Sequence, residues 1–526
     1  MATFQVQFLL MVLVILMMMI ASFTLAIRIH GLSINSNNKN PQTPISDIKT
    51  TTSQLTPGFI FTLQQRSLNY MAQQLTPKIQ RELSDHLNIP DIDQNVDTPV
   101  GHVQFQVQNI QVSQLSLQTP SVVIGSDQTL MLNIPGVHTH MQADWHYRKT
   151  HWPHVSDHGS VDADITISVS IGVKISIVDA THCTAQVTSV QASFSEFNLK
   201  MHGGASWLYN FFIKNFRHSI ENDVIKQVDV DVARAVNTAL AKALDTISLQ
   251  HDLGHGIVVD YSLRSLDFLA SVHMAVGTTG LFYIPGKPVY SNEPTPMSDS
   301  LGSDKMIEVF INEFVLNSAM FASSQAGILN ALITQKHIPS TFDWVFNTSS
   351  YQTLIPGIYA ICSNCEIQIT ISNGIAPVLT LDPSVGIEMN ANAQAIFQII
   401  QNNQNIVNAF ALDLNIQLDV MPSLGQNNIS FVFTYKNASI QLAYSKVGTF
   451  SVQFFSMAIE AALKYVVVPA ANIVGTKGVP LPQMKDLTLR NAEFGVEQGY
   501  LSLRSDFVYQ PSFTPKKNLR SRIVSP

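Results

Sequence analysis

The stretch VDADITISVSIGVKISIVD, residues 161–179, alternates apolar and polar side chains over its first eleven positions. A period of two places alternate side chains on opposite faces of a β-strand. One face carries Val161, Ala163, Ile165, Ile167, Val169 and Ile171, and the other carries Asp162, Asp164, Thr166 and Ser168. Such a strand belongs in an antiparallel sheet with one covered face, and residues 406–423 and 428–445 repeat the pattern.

The chain runs through this pattern twice, on either side of a break rich in Pro, Ser and Gly at residues 284–304. Each part opens with a short apolar strand that leads into a helix, at residues 57–87 and again at 306–333. At 526 residues the chain is long enough for two large domains. The order of patterns therefore predicts two pseudo-repeats, an N-terminal half (56–283) and a C-terminal half (305–512).

Each half is expected to close with a long apolar helix. Residues 206–244 carry an apolar side chain at every fourth position, and this stripe drifts roughly 40° per step on a helix of 3.6 residues per turn. A drifting stripe suits a curved partner such as a barrel wall. The second helix, 454–474, contains Pro469, which predicts a kink. The fold class is α+β, with two curved antiparallel sheets beside apolar helices, and both a filled core and a ligand-holding tunnel fit this pattern.

Composition limits the classes of function. Hydrophobic residues make up 46% of the chain and charged residues 13%, with a mean hydropathy of +0.15, so much apolar surface is buried or reserved for an apolar ligand. A net charge of −7 and a pI near 6.1 argue against a nucleic-acid partner. The sequence contains no GxxxxGK[ST], GxGxxG, GxSxG or HExxH motif, which removes the most direct enzymatic interpretations.

The N-terminus indicates export. Residues 8–26 are apolar and uncharged, which predicts a signal peptide over 1–26, although the stretch is also long enough for an uncleaved anchor. A polar leader rich in Asn, Ser and Thr follows at 27–55. Three sequons, at Asn347, Asn428 and Asn437, predict glycosylation on a secreted or lumenal protein.

The three cysteines are Cys183, Cys362 and Cys365. The two-residue spacing of CSNC is compatible with a redox pair, half a metal site or a local disulfide. Without a second such pair, we favour a local disulfide or two free thiols over a metal site.

Six of the 16 histidines fall within residues 138–158. Alternation predicts a strand with Val137 to Tyr147 inward at odd positions and His138, His140 and His146 outward, followed by a hairpin turn from Thr150 to Gly159. One alternative is a metal clamped by those three histidines, and another is His151 or His154 acting as a base oriented by Asp157. A third is a solvated, pH-sensitive surface, because imidazole titrates near ~6.5.

Several segments resemble the tubular lipid-binding family that includes bactericidal/permeability-increasing protein, lipopolysaccharide-binding protein and the plasma lipid transfer proteins. They are PGFIFTLQQRSLNYMAQQLTPKIQRELSDHLNIPDI (57–92), SWLYNFFIKNFRHSIENDVIKQV (206–228), FINEFVLNSAMFASSQAGIL (310–329) and GTKGVPLPQMKDLTLRNAEF (475–494). Their order is the family's, over roughly residues 56–510. The resemblance implies a two-lobed boomerang of two barrels joined by a central sheet, each barrel holding acyl chains, with no cofactor and no catalytic residues.

The resemblance also implies which residues line the pockets and contact membranes. The implied lipid-binding residues of the first half are Leu68, Met71, Leu75, Ile79, Leu83, Leu208, Phe212, Phe216, Ile220 and Val224. Those of the second half are Phe314, Met320, Phe321, Phe455, Ile459, Leu463 and Val467. The implied membrane- or anion-contacting tip consists of His138, His140, His146, Arg148, Lys149, His151, His154 and His158. The family's bridge from a strand cysteine to the long helix is expected to be absent, because Gln227 to Asp229 stand where the partner of Cys183 belongs.

The expected function is secreted lipid binding or transfer, with phospholipid acyl chains in two apolar pockets and transient contact with a membrane or lipid particle. Binding of bacterial lipopolysaccharide is the alternative, and a lipid hydrolase is the least favoured. Lipid A phosphates call for clustered Lys and Arg, whereas the tip has only Arg148 and Lys149, balanced by Asp144 and Asp157. Protonation of all six histidines would take this hairpin from near zero to +6. A linker at 284–304 and a basic tail at 513–526 complete the predicted organisation.

Overall fold

The structure is a computed structural model. It describes residues 56–86, 91–98, 101–149, 151–152, 154–203, 249–297, 303–337, 345–401, 405–424, 428–453, 479–480 and 487–509, with single helical positions between 230 and 244 and between 459 and 476.

The N-terminal half is mostly antiparallel sheet. Its strands are β1 (Phe59–Gln64), β2 (Ile92–Thr98), β3 (Gly101–Leu117), β4 (Ser121–Ile124), β5 (Thr129–Lys149), β6 (Ser156–Ile177), β7 (Cys183–His202), β8 (Gln250–Asp252), β9 (Val258–Asp260), β10 (Leu263–Leu269), β11 (His273–Thr278) and β12 (Leu281–Tyr283). Helix α1 (Gln65–His86) follows β1 directly.

The C-terminal half repeats this order. Its strands are β13 (Ile307–Asn312), β14 (Ala331–Ile333), β15 (Glu366–Ser372), β16 (Val378–Asp382), β17 (Gly386–Ile400), β18 (Ile406–Leu424), β19 (Asn428–Ser445), β20 (Val479–Pro480), β21 (Leu487–Glu497) and β22 (Tyr500–Tyr509). Its helices are α2 (Glu313–Gln325) and α3 (Pro356–Ile361), with 3-10 turns at Gln335–His337 and Thr348–Tyr351 and a π-helical turn at Leu463–Val467.

A central six-stranded sheet joins the halves in the order β10-β11-β1-β13-β22-β21. The antiparallel pair β1–β13 lies at its middle, with Phe61 opposite Val309, and each of these strands leads straight into a helix. The sheet is therefore symmetric about this pair, β11 corresponding to β22 and β10 to β21. This arrangement confirms the predicted repeat of a strand followed by a helix.

The second of these helices is shorter than the sequence suggested. We predicted helix to residue 333, but α2 ends at Gln325 and Ala331–Ile333 is strand β14. Gly327 adopts a φ of 73°, and the N–H groups of Gly327 and Ile328 return to the carbonyls of Ser324 and Ser323. This left-handed glycine and its backward hydrogen bonds stop the helix.

Two long antiparallel sheets flank the central one. The first runs β2-β3-β5-β6-β7 with β4 on β5, and the second runs β14-β15-β17-β18-β19-β20 with β16 on β17. A small sheet, β12-β9-β8, lies beside them. Closure of either long sheet into a barrel and the full length of the apolar helices stay predictions, because most positions of those helices lie outside the described residues.

Helix α1 covers the free edge of β4 with two side chains one turn apart. Gln65 accepts the N–H of Ile124 at 2.8 Å and donates to the carbonyl of Val122. Asn69 accepts the N–H of Val122 at 3.0 Å. Side-chain amides thus satisfy backbone groups that an edge strand would otherwise leave open.

Helix α2 makes corresponding side-chain hydrogen bonds to the backbone of β16 in the C-terminal half. Glu313 accepts the N–H of Leu381 at 2.9 Å, and the buried Asn317 bonds both backbone groups of Leu379, at 2.7 and 2.9 Å. The spacing of four residues and the alternate strand positions are those of α1 and β4. The two halves are therefore repeats down to individual hydrogen bonds.

The Pro-rich segment after β12 packs against α2. Tyr290 lies between Phe314 and Phe321, with ring centroids 5.8 and 5.9 Å away. Lys287 donates to the carbonyl of Gln325 at 2.7 Å. Residues 284–297 are thus a strap across α2 and do not merely connect two domains.

Both predicted apolar helices are described at a few positions only. Val236 and Leu240, which share the stripe of period four, are fully buried in the main core cluster. In the second helix the π-helical turn at Leu463–Val467 directly precedes Pro469, whose missing N–H disturbs the regular hydrogen-bond ladder. No helix of the described residues is both long enough and apolar enough to cross a bilayer.

Candidate functional site

The hairpin β5–β6 builds the far end of the N-terminal half. The strands pair up to Arg148 and Ser156, so β6 already begins at Ser156 and the predicted turn to Gly159 was wrong. Gly159 lies in β6 opposite Trp145, and a Cβ there would come within 2.8 Å of the indole and closer still to the carbonyl of His202. Because Gly159 has no side chain, β6 can stay paired with its neighbouring strands beneath the Trp145 indole.

The predicted alternation of β5 is confirmed. Val137, Ala143, Trp145 and Tyr147 are buried, whereas Arg148 on the other face is exposed. We call the face that carries Trp145 the inner face and the opposite one the outer face.

A small aromatic cluster packs the distal end of the inner face. The rings of Phe105 and Tyr147, which are cross-strand partners, both stack with Trp145 at centroid distances of 6.4 and 6.2 Å. The indole N–H donates to the carbonyl of Ser160 at 3.1 Å. Burial, with the nearby charge of Asp157, raises the pKa of Tyr147. This distal cluster is separate from the main core around Leu117 and Val137.

Two cross-strand rows lie between the distal cluster and the main core. They are Val112–Met141–Ala163–Leu199 and Leu115–Thr139–Ile165–Phe197. Ala163 and Ile165 are buried, but the side chains on β3, on β5 and on β7 remain partly exposed. We call these two rows the N-terminal wall, an almost wholly apolar strip four strands wide.

The C-terminal half has a corresponding C-terminal wall. Ala391, Ala393 and Ala395 occupy alternate positions of β17, and Ala391 pairs with Ile416, which pairs with Ala438. Ala391, Ile416 and Ala438 are partly exposed, and Ile416 and Ala438 pack against the edge of the second core cluster. We define the C-terminal wall as the row Ala391–Ile416–Ala438.

The implied lining residues of the N-terminal half divide into two groups. Leu68, Met71 and Leu75 are buried on one face of α1 within the main core cluster. The side chains of Ile79 and Leu83 lie outside the described part of the structure, as do Leu208, Phe212, Phe216, Ile220 and Val224. Their contact with lipid stays a prediction.

In the C-terminal half, α2 presents its implied lining residues on two faces. Phe314 and Phe321, seven residues apart, share the face under Tyr290, whereas Met320 lies about 100° from Phe321. Ile459 and Leu463 are buried in the second core cluster, and Val467 packs against it. Phe455 lies outside the described residues. Phe314 and Phe321 thus pack against Tyr290. For all seven implied residues of the C-terminal half, contact with lipid stays a prediction.

The histidines of the outer face nearest the core bond to neighbouring strands. His140 Nδ1 lies 2.7 Å from Asp164, and His138 Nδ1 lies 3.0 Å from Thr166 and 4.0 Å from Glu196. His138 and His140 thus turn to β6 and β7 and do not face His146 as a clamp. Among the described residues, no three His, Cys, Asp or Glu side chains converge as a metal site.

One histidine that the sequence did not single out joins this face. His202, near the end of β7, lies 2.7 Å from Asp162, which also accepts from Gln142 at 2.9 Å. The hydrogen bonds from Gln142 and His202 lower the pKa of Asp162. The register of β6 against β7 brings His202 here, and only long-range pairing reveals it.

The remaining histidines cluster at the turn. His146 is the cross-strand partner of His158, and the rings of His102 and His151 lie 6.1 Å apart. His154 Nδ1 lies 3.5 Å from the carbonyl of Lys149.

His151, His154 and Asp157 are not arranged as a general base with a carboxylate that orients it. Asp157 accepts the backbone N–H of His158 at 2.9 Å and shares its side of β6 with Gly159 beside the distal cluster. His151 and His154 are exposed on the turn. The hydrolase alternative therefore gains no support from this geometry.

The sequons and cysteines lie mainly in the C-terminal half. Asn437 is exposed on β19, Asn428 begins that strand, and Asn347 caps a 3-10 turn by accepting the N–H and hydroxyl of Ser349 at 2.9 and 2.8 Å. Cys362 and Cys365 form a disulfide, as the local-disulfide alternative predicted. Cys183 is free but only partly buried, and desolvation raises the pKa of its thiol.

Comparison with known sequences identifies the fold family. Residues 67–240 match the LBP / BPI / CETP family, N-terminal domain, and residues 252–509 match its C-terminal domain. The chain belongs to the LBP / BPI / CETP family. The family that the sequence segments resembled is thereby confirmed.

Relatives from distant organisms align over most of the chain. A bactericidal permeability-increasing protein of Sebastes schlegelii is 27% identical over 465 residues, 86% of this chain and 95% of that protein. A lipopolysaccharide-binding protein of Mus musculus is 22% identical over 462 residues, 86% and 94% of the two chains. A putative BPI/LBP family protein of Arabidopsis thaliana is 22% identical over 437 residues, 81% and 87% of the two chains.

A solved structure shares the fold. The crystal structure of lipopolysaccharide binding protein superposes with a TM-score of 0.54 at 19% identity, covering 87% of this chain and 100% of that one. At this identity the likeness concerns the fold alone. It agrees with a predominantly β chain whose two halves share a central sheet.

Proposed function

We propose that this member of the LBP / BPI / CETP family is a secreted lipid-binding protein that holds acyl chains against its N-terminal and C-terminal walls. The observation that carries the proposal is the N-terminal wall, whose apolar side chains stay partly exposed between two packed clusters. Well-packed interiors leave few such gaps. Each methylene of a ligand that the wall removes from water contributes ~0.8 kcal/mol.

The C-terminal wall supports a second acyl site. Its two alanines, Ala391 on β17 and Ala438 on β19, leave more room than the branched Ile416 between them. The lining residues that the resemblance implies, all on helical segments, would complete these sites from the other side. No step of this function needs a nucleophile, a general base or a cofactor, so we propose binding or transfer and not catalysis.

Phospholipid is the ligand that we favour, and a membrane or lipid particle is the surface with which it is exchanged. The second candidate is lipopolysaccharide, which the names of the Mus musculus relative and of the solved structure specify. Arg148, Lys149 and Lys200 would supply the permanent positive charge for lipid A phosphates at this end of the N-terminal half, and five carboxylates outnumber them. The net charge of −7 favours neither nucleic acid nor a strongly anionic ligand at neutral pH.

The proposed organisation follows the predicted boundaries. A signal peptide at 1–26 and a leader at 27–55 would precede lipid-binding halves at 56–283 and 305–512, separated by 284–304 and followed by the tail at 513–526. Asn347, Asn428 and Asn437 would carry glycans on a protein exported through the secretory route.

Uptake of a fluorescent phosphatidylcholine, labelled on one acyl chain, tests the proposal. Ala163→Phe places a ring on the N-terminal wall, and Ser160→Phe places the same ring on the exposed outer face of the same strand. We expect wild type and Ser160→Phe to take up equal amounts of lipid. Ala163→Phe is expected to lose about half, since the C-terminal wall remains. Equal uptake by both variants, with equal melting temperatures, would contradict the proposed wall.

Competition then separates the two ligands. Unlabelled phosphatidylcholine should displace the probe at lower concentration than lipopolysaccharide does at pH 7.5. A clear preference for lipopolysaccharide at that pH would instead make the second candidate the function.

A further inference from the structure

The tip of the N-terminal half concentrates titratable groups to a degree that lipid binding by the walls does not require. We define the tip as residues 151, 152, 154 and 155 together with the adjoining ends of β2, β3, β5, β6 and β7. Its histidines are His102, His146, His151, His154, His158 and His202. Its permanent cations are Arg148, Lys149 and Lys200, and its carboxylates are Asp93, Asp97, Asp144, Asp157 and Asp162.

The charge balance of this tip depends on pH. With neutral histidines, five carboxylates outnumber three basic side chains, so the tip is net negative. Protonation of the six histidines reverses its sign. This balance differs from the near-neutral hairpin that the sequence suggested, because the register adds Asp93, Asp97, Asp162 and Lys200 from neighbouring strands.

Strand register determines which groups face His146 and His102. His146 faces His158 on β6 and Gln106 on β3, while Gln106 is held by Asp93 at 2.7 Å. His102 faces Asp97 on β2 and contacts His151.

Three of the carboxylates accept hydrogen bonds from neutral or histidine side chains. Asp93 accepts from Gln104 and Gln106, Asp144 accepts from Asn109 at 2.8 Å, and Asp162 is shared by Gln142 and His202. With all six histidines protonated, the tip carries nine positive charges (three plus six) against five carboxylates, so a net charge of +4 is presented to an anionic surface.

An exposed aromatic side chain lies at the same place. Trp152 is 85% exposed at the apex of the turn, and Val155 beside it is also exposed. Tryptophan is the side chain that favours the boundary between lipid headgroups and acyl chains. The exposed Trp152 and Val155 thus lie at the same tip as the histidines that become cationic in acid.

We propose that the tip is a docking surface for anionic phospholipid bilayers that engages in acid and releases at neutral pH. The inference rests on the proposed lipid-binding function, because it describes how the protein would meet a membrane that donates or receives lipid. Each basic group held at an anionic surface strengthens adsorption about fivefold, so a few imidazolium groups suffice for a large effect.

Flotation with vesicles tests the docking surface on the full-length chain. We use phosphatidylcholine vesicles with and without phosphatidylserine, at pH 5 and pH 7.5. The expected result is partition at least about tenfold higher at pH 5 on the anionic vesicles, with little pH dependence on phosphatidylcholine alone. Equal partition on anionic vesicles at the two pH values would overturn the proposal.

Matched triple variants separate the tip from the overall charge of the protein. His146→Gln/His151→Gln/His158→Gln should lose most of the acid-dependent partition. His182→Gln/His255→Gln/His337→Gln removes three exposed histidines elsewhere and should keep it. Equal loss in both triples would show that global charge is responsible and would overturn the assignment to the tip.

Two further readouts complete the test. Trp152→Ser should weaken adsorption at pH 5 several-fold, and unchanged adsorption would remove Trp152 from the surface. Uptake of fluorescent phosphatidylcholine is measured on the same triples. If neither wild type nor any variant takes up lipid, the proposed lipid-binding function is refuted. The docking surface is tested separately, by flotation alone.

Discussion

Replacing Arg504 by Met should cost far more stability than replacing an exposed basic residue. Glu308, on β13, is completely buried, and it accepts Arg504 Nε at 3.1 Å and Gln64 at 3.1 Å. Because Gln64 lies on β1 and Arg504 on β22, this network links the three middle strands of the central sheet. Arg504→Met leaves a buried carboxylate without its cation, a change that typically costs ~3–5 kcal/mol.

The control is Lys464→Met, which removes an exposed ion pair within one helix. Lys464 lies 2.6 Å from Glu460 one helical turn away, and both side chains are more than 40% exposed. Such a pair contributes ~0.3–0.5 kcal/mol. The free energy of unfolding is measured by urea titration with circular dichroism. A loss for Arg504→Met no larger than that for Lys464→Met would refute the role of the network.

A double variant separates the missing cation from the missing packing. Glu308→Leu/Arg504→Met removes both charges and should recover much of the stability lost in Arg504→Met, because no uncompensated carboxylate remains. If the double variant is as unstable as the single one, the loss comes from the packing of Arg504 over the Phe310 ring, 6.0 Å away.

Three other changes have definite expected outcomes. Asn317→Ala leaves both backbone groups of Leu379 unsatisfied in the core and should lower the free energy of unfolding by about 2–4 kcal/mol in urea titration. A loss under about 0.5 kcal/mol would contradict the role of these two hydrogen bonds. Gly159→Ala should disturb the stacking of Trp145, seen as a shift of tryptophan emission, and an unchanged spectrum would count against the close approach. Hydrogen bonds from Thr181 and His182 lower the pKa of Asp179 to about 2, so its stabilisation is full above ~3.9 and is lost as the pH falls through about 2. Asp179→Asn should therefore melt below wild type at pH 7 and equally at pH 2, and a constant difference would contradict this assignment.

Periodic features could be predicted from the sequence because they depend on local geometry. The alternation in β5 and β6 fixed which side chains share a face, and the apolar strands before α1 and α2 indicated the repeated opening unit. The buried Val236 and Leu240 fit the stripe of period four. Each of these follows from a fixed number of residues per turn or per pleat.

Features set by long-range pairing could not be predicted. The partners Asp164 and Glu196 of the outer histidines depend on the strand register, which is shifted by bulges after Ile134 and Thr166. The bonds of Asn317 to Leu379 join residues 62 positions apart. No local pattern encodes such contacts.

The candidate lipid contacts show the same division. The family resemblance placed the implied lining residues on the helices, whose side chains have the clearest apolar stripe. The partly exposed wall at Met141 and Phe197 became visible only when four strands were aligned in register. Alternation alone would have identified Met141 as inward, but it could not have distinguished a covered position from an open one.

Native mass spectrometry of the purified chain, without added lipid, tests whether the protein holds acyl chains. We expect the protein to carry phospholipid from its expression host, with up to two molecules per chain. Ala163→Phe should carry less, and Ser160→Phe should carry as much as wild type. A protein that is free of lipid by mass spectrometry and by solvent extraction, and that takes up none from vesicles, would contradict the account.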